Sequence, residues 1–365
     1  MRIIVRVVSK LGKGKRRRQD RRNPVRLEAL ESRTLMSGTP HSAGAHRAAV
    51  AGVTAAHGLN VSMFATNPAG ASQPDSIAVD GSSVFVGYGD GVAKDGSDGL
   101  SSTIVQYTSA GAIVRSFSVP GHNDGLKVDP STHLVWALQN EDGNPNLVVI
   151  DPVAATQKNY TFAAPPADGG GYDDIVFLDG KVFLSESNPA SNPNTAPAVV
   201  QATLGASTVT VTPVLLGNAA ATNLVTHHHV TLNLQDPDSM TATPSGSLLL
   251  TSQADDELVT IKHPGAANQS VTVLPLSDAK HTAVSVDDTL FKPGPKGSIL
   301  LTDLSGGTIY RITGSAVKPG LTLSAAQDIG EVGKLNLKTG RFTPVITGLE
   351  SPRGLAFLPD AKNSK

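Results

Sequence analysis

Short apolar runs, each introduced by a polar turn, recur along the chain from residue 59 onward. The pattern is sharpest in Gln73-Pro-Asp-Ser-Ile-Ala-Val-Asp80, where an aspartate stands just before an alternating apolar stretch. Close variants return at His122-Asn-Asp-Gly-Leu-Lys-Val-Asp129, Tyr172-Asp-Asp-Ile-Val-Phe177 and Asp236-Pro-Asp-Ser-Met-Thr-Ala242. Two more stand at His281-Thr-Ala-Val-Ser-Val-Asp287 and Ser351-Pro-Arg-Gly-Leu-Ala-Phe357. Alternation with a period of two predicts strands. Each copy is followed by a second apolar run, a polar loop, a third run and often a fourth. In the first unit these runs cover 84–88, 103–107 and 113–119. Segments 247–261 and 298–312 match each other in apolar placement and loop length.

The aligned positions Asp75, Asp124, Asp173, Asp238, Thr282 and Arg353 are separated by 49, 49, 65, 44 and 71 residues. Four strands repeated every ~40–50 residues are the pattern of a β-propeller blade. One such blade cannot bury both of its faces, whereas blades stacked in a closed ring leave only short edges. The pattern therefore predicts an all-β propeller over residues 59–365, with six four-stranded blades. Extra runs at 321–325, 332–337 and 342–346 precede the last copy, and they leave five or seven blades open. Ring closure is expected from 60–65 lying beside 354–358.

Composition agrees with this reading. Glycine (36) and proline (24) are plentiful and aromatics make up only 4%, which suits short strands and tight turns better than packed helices. The net charge of -1 conceals an asymmetry. Residues 1–37 hold twelve Lys or Arg against three acids, while the rest of the chain holds eighteen against twenty-eight. An acidic body argues against nucleic acid as a partner, because neutralising phosphates needs clustered bases. Cysteine is absent, so no disulfide framework exists. No apolar run is long enough for a transmembrane helix. A monomer is expected.

Residues 1–58 read as a basic, mostly disordered leader. Within it, Asn23 is a good N-cap, Pro24 suits the first helical position, and Leu27, Leu30 and Thr34 recur at helical spacing, which predicts a short amphipathic helix. Leu27, Glu28, Leu30, Glu31, Arg33, Leu35 and Ser37 resemble a motif found near the N-terminus of many planctomycete surface and exported proteins, with Met36 where that motif has a second Leu. The resemblance implies an extracellular or cell-surface location. The alternative is a basic tail with an accidental helix.

In a propeller the loop entering each innermost strand opens onto one face of the central channel. Asp75, Asp124, Asp173 and Asp238 occupy that loop and are candidate ligands for a divalent cation, Ca²⁺ first. Close carboxylates repel unless a cation or an arginine intervenes, and Arg353 is the internal candidate. Thr282, His122 and His281 are expected to line the same channel. The competing reading is that each aspartate only caps a turn. The loops after the second strands are also rich in oxygen donors, among them Asp90, Asp95, Asp98, Asn140, Glu141, Asp142, Asn144, Glu186, Asn188, Asp255, Asp256, Glu257 and Asp303. In His227-His228-His229, only His227 and His229 share a side of a strand, so a metal there would need a third ligand from elsewhere.

The repeat and the Thr302-Asp-Leu-Ser-Gly-Gly-Thr-Ile-Tyr-Arg-Ile312 segment resemble six-bladed propellers of the NHL-repeat and SMP-30/gluconolactonase (TolB-like) type. The latter family binds a divalent ion with a Glu, two Asn and an Asp, one Asn preceding Gly-Leu and the Asp within Pro-Asp-Gly-Met. Here Asp124 precedes Gly125-Leu126, and Pro237-Asp238-Ser239-Met240 carries Ser for Gly. The early Glu-x-Pro-x-Trp is missing, with Asp75 at a comparable place. The export-like leader and the lack of a complete catalytic set lead to the first of three functions to weigh, and the resemblance implies the second. The first is an exported propeller binding a small molecule, carbohydrate or protein on its acidic face. The second is a metal-dependent, lactonase-like hydrolase with Asp238 as general base. A purely structural surface protein is a third. No nucleophile elbow, phosphate loop or dinucleotide fingerprint occurs.

Overall fold

The computed structural model describes residues 50–360, and the export-like residues 27–37 lie outside them. Among the described residues regular structure is β throughout, apart from one 3-10 turn at Gln327–Ile329. No helix there is long and apolar enough to cross a membrane.

The strands form a β-propeller. Its innermost strands are Pro74–Asp80, Asn123–Val128, Gly171–Leu178, Pro237–Ala242, Thr289–Phe291 and Pro352–Pro359. Each packs beside the next, and Pro352–Pro359 returns to Pro74–Asp80, so the strands surround a channel. Pro74–Asp80 begins a four-stranded antiparallel sheet that runs outward to Ile113–Pro120. The strands of 123–162 and of 171–216 repeat this arrangement, and their outer edges join through a parallel pairing of Thr161 with Thr208 and Phe162 with Val209. The strands of 237–275 follow, extended at the outer edge by Ala220–Asn223 and His229–Thr231.

The last third interleaves. Thr289–Phe291 pairs with Thr322–Ala326, beyond which lie Glu331–Asn336 and Arg341–Thr347. The hairpin Gly297–Asp303 and Thr308–Thr313 instead joins Pro352–Pro359, with Asn60–Thr66 outermost. The 298–312 segment thus serves the last inner strand rather than the fifth, and the extra runs complete the fifth sheet. Residues 60–65 share a sheet with 354–358 but are separated from them by the hairpin. Thr54–Ala55, inside the segment assigned to the leader, pair with Arg341–Thr347.

Stacking explains the apolar runs. Second strands such as Val135–Gln139 and Leu248–Ser252 are buried at every position, because neighbouring sheets cover both of their faces. Between adjacent sheets the side chains interdigitate, as where Phe85 and Ile104 meet Leu126, Val135 and Val148. The same happens where Val176 and Phe183 meet Met240, Leu248 and Leu250.

One irregularity recurs at the channel end of the inner strands. Pro74 pairs with Tyr88 and Ile77 with Val86, so Asp75 and Ser76 together oppose Gly87. The same two-against-one step places Asp124 and Gly125 opposite Leu138, and Asp173 and Asp174 opposite Ser185. It places Asp238 and Ser239 opposite Thr251, and Arg353 and Gly354 opposite Thr302. At the fifth strand Asp287 N donates to Ala325 O at 2.8 Å while Ala325 N donates to Asp288 O at 3.0 Å. Such bulges turn side chains out of the regular alternation. Consecutive residues therefore both face the channel.

The bulges also bring inner strands close together. A Cβ at Gly125 would lie 2.1 Å from the carbonyl oxygen of Asp173, so only glycine fits. Two buried aspartates then bind the next inner strand: Asp174 Oδ2 accepts from Met240 N at 2.9 Å, and Asp288 Oδ2 accepts from Leu355 N at 2.8 Å. Asp174 also holds Lys127 Nζ at 3.1 Å. Asp174→Ala leaves a buried N–H and a largely buried ammonium without their partner, so it is expected to lower unfolding free energy by roughly 2–4 kcal/mol. A urea midpoint equal to wild type would refute this inter-strand bond as a stabilising element.

Candidate functional site

The bulges build a ring of side chains at one level of the channel: Asp75, Asp124, Asp173, Asp238, Asp287 and Arg353, in strand order. They surround a cavity of about 20 Å³, room for one water molecule or one ion. Directly above, a vestibule of about 230 Å³ shares Asp124, Asp173, Asp238 and Arg353 and is otherwise lined by side chains such as Lys94, Glu141, Asn188 and Gln253. Its lining is entirely polar or charged.

Within this ring the carboxylates divide. Arg353 Nη1 lies 3.2 Å from Asp287 Oδ2, and Ser239 Oγ donates to Asp287 Oδ1 at 3.1 Å. The one guanidinium of the ring is thereby engaged. On three consecutive inner strands, Asp124, Asp173 and Asp238 each offer a carboxylate oxygen, and these lie within 4.8 Å of one another. Asp173 and Asp75 are buried, yet among the described residues no N–H or hydroxyl donates to either carboxylate. Burial, then Asp124 and Asp238, pushes the Asp173 carboxyl well above its usual range. Burial also raises Asp124, with Glu141 and Asp75 adding to it, and Asp238, with Asp287 and Asp236 adding to it. For Asp75 burial again dominates and Arg353 opposes it. Burial works against Glu141 too, but its contact with Asp124 and the Lys94 ammonium hold its carboxyl below the usual range.

This donor set fits a hard cation. Oxygen ligands sit ~2.3–2.6 Å from Ca²⁺, so two of them on opposite sides of one ion are separated by up to about 5 Å. The three carboxylates meet that limit, and the chain has no cysteine to favour a softer ion. Asp75 lines the same cavity but does not belong to the three-carboxylate group.

Other expected site residues fall elsewhere. His281 and Thr282 are exposed on a turn that Asp278 closes by accepting from Lys280 N at 2.7 Å and Thr282 N at 2.8 Å, so they do not line the channel. Their place belongs to Asp287 and Asp288, which restores the spacing to 49, 49, 65, 49 and 66 residues. The signal is in the sequence: Val286-Asp-Asp-Thr-Leu-Phe291 repeats Tyr172-Asp-Asp-Ile-Val-Phe177 more faithfully than the alternating residues 281–287 do. His122 is buried, with Nδ1 2.9 Å from Val92 O, and it stands beside Asp124 and Glu141. His227, His228 and His229 are exposed around a turn and join no metal-competent group among the described residues. Asp95, Asp98 and Asp303 cap their own turns by accepting from backbone N–H groups two or three residues on, whereas Asp90 and Asp255 tie neighbouring loops by accepting from Ser72 N and Gln235 N.

No family model and no curated protein matches this chain. Among solved structures it is similar to a streptogramin B lyase at 14% identity, covering 84% of this chain and 96% of that one with a TM-score of 0.47. It is similar to virginiamycin B lyase from Staphylococcus aureus at 11% identity, covering 82% and 96% with a TM-score of 0.48. A protein classed by family as a gluconolactonase gives 11% identity, 80% and 82% coverage and a TM-score of 0.46. At these values the likeness says nothing about chemistry, and the site is read from its own side chains.

Burial raises Asp287 to about 6, against the opposing pull of Arg353, and raises Asp288 to about 6, against that of Lys127. In the unfolded chain these groups titrate near ~3.9, so the folded state binds the extra protons. Their contribution to stability is fully present below about pH 4 and is lost as pH rises through about 6. The metal-free protein is therefore expected to melt at a lower temperature near pH 7 than near pH 5. A melting temperature that rises across this window would contradict the raised titration of Asp287 and Asp288.

Proposed function

We propose that the protein binds a hard divalent cation at the acidic mouth of its channel and through it holds an oxygen-bearing small molecule, carbohydrate or protein group in the vestibule. One observation carries this reading: three carboxylates on consecutive inner strands converge around a one-ion cavity, and Asp173 among them meets only the carboxyl of Asp124 and no N–H or alcohol hydroxyl. Burying that much like charge is unfavourable unless a cation joins it. The ring is read as six-bladed, supported by the neighbour packing of the inner strands and the repeated bulge.

A second reading, a hydrolase of lactone type, is favoured by the way Asp238 faces both the ion cavity and the vestibule. A bound cation would supply the charge that polarises a substrate carbonyl. Asp238, raised in pKa by its burial, would accept the proton from an attacking water, and Lys94 and Arg353 would orient anionic substrate groups.

Calorimetric titration with Ca²⁺, Mg²⁺ and Mn²⁺ is expected to show saturable binding, and Asp173→Asn to weaken it at least about tenfold, or ~1.4 kcal/mol. Absence of heat with all three ions would sink the cation reading. A screen of aliphatic and aromatic lactones on wild type and Asp238→Asn then separates binding from hydrolysis, since turnover abolished by the variant is required for the second reading.

Export is likewise proposed from the residues at 27–37, with the protein placed at the cell surface or outside the cell. A tagged chain lacking residues 23–37 is expected to stay inside cells that export the full chain. Equal distribution of the two forms would contradict a role for the motif.

A further inference from the structure

A second group of ligands stands at the edge of the vestibule, two of its members lining it, and its composition differs from the first. A ring nitrogen of His122 and carboxylate oxygens of Asp124 and Glu141 lie within 4.8 Å of one another. His122 is only 7% exposed. Its Nδ1 donates to Val92 O at 2.9 Å, and among the described residues no hydrogen bond engages Nε2. A backbone carbonyl on the far nitrogen is the usual means of orienting a metal-binding imidazole. The main chain is pinned as well: His122 N donates to Asn140 Oδ1 at 2.9 Å, and Asn140 N donates to His122 O at 2.8 Å.

We propose that His122, Asp124 and Glu141 form a second metal position, of the nitrogen-and-oxygen type that takes Zn²⁺, Co²⁺ or Mn²⁺, bridged to the first position through Asp124. Three features carry the inference. Asp124 belongs to both ligand groups, so its carboxylate is the one that would bridge the two ions. Replacing an oxygen ligand by imidazole shifts preference from Ca²⁺ toward first-row transition ions. Lys94 Nζ pairs with Glu141 while the rest of its side chain is 56% exposed, so an ammonium occupies the place of the metal charge and can swing away when an ion binds. The two positions then offer different selectivity: the lower one is a carboxylate cage, and the upper one opens to the vestibule where an exchangeable ligand would bind.

The inference rests on the carboxylate position proposed above, and the test keeps the two apart. The full-length protein is first saturated with Ca²⁺ and then titrated with Co²⁺, followed by calorimetry and by visible absorption, which reports nitrogen coordination. One further equivalent of Co²⁺ is expected, with a visible band. His122→Gln should weaken that step at least about tenfold and remove the band while keeping the Ca²⁺ heat. Lys94→Met should bind Co²⁺ more tightly than wild type, a gain that a merely damaged fold would not produce. Cobalt binding unchanged in His122→Gln, or weaker in Lys94→Met, would overturn the second position. Absence of Ca²⁺ heat in wild type would instead remove the first position, and with it the bridge.

Discussion

The bulge at the channel end of each inner strand is the constraint on which the rest of the molecule depends. A regular strand would send alternate residues into the channel and the sheet, leaving one carboxylate per strand at this level. Setting two residues against one turns both toward the axis. The upper residue of each pair faces the ion cavity. The lower residue either vanishes, as at Gly125 and Gly354, or reaches across to the next strand, as Asp174 and Asp288 do. The same backbone step therefore closes the ring and builds the site.

That arrangement sorts aspartates into two kinds that look alike in sequence. Asp174 and Asp288 accept buried backbone N–H groups, and Asp174 also holds Lys127, so their charge is compensated by the fold. Asp287 is compensated by Arg353 and Ser239. Asp75 has no donor, Asp173 meets only the Asp124 carboxyl, and Asp238 shares the single Ser239 hydroxyl with Asp287, so their charge awaits something brought from outside. The protein thus carries a stored electrostatic cost at one point of the channel, as functional sites commonly do. Because the engaged arginine lies on the opposite side of the ring from Asp124 and Asp173, the uncompensated charge is off-centre. It lies under the part of the vestibule that Lys94 and Glu141 line, with His122 beside Glu141.

The fold class is legible along the chain, because period-two alternation and the repeat spacing follow from strand pleating and from the need to cover both faces of each sheet. The sequence also placed Asp75, Asp124, Asp173 and Asp238 at the channel mouth, since an aspartate just before an apolar run marks where a strand enters the core. Apolar alternation misled at 281–287, where Val284 and Val286 are buried in the core without forming an inner strand, and the doubled aspartate of 287–288 was the better mark. Pairing between strands far apart in sequence left no local trace, so the crossing of 297–313 to the last sheet was decided only in three dimensions. The same holds for which carboxylates find a donor and which do not. That outcome depends on the backbone N–H of the next strand, such as Met240 meeting Asp174, and a distance across the channel is not written in either strand alone.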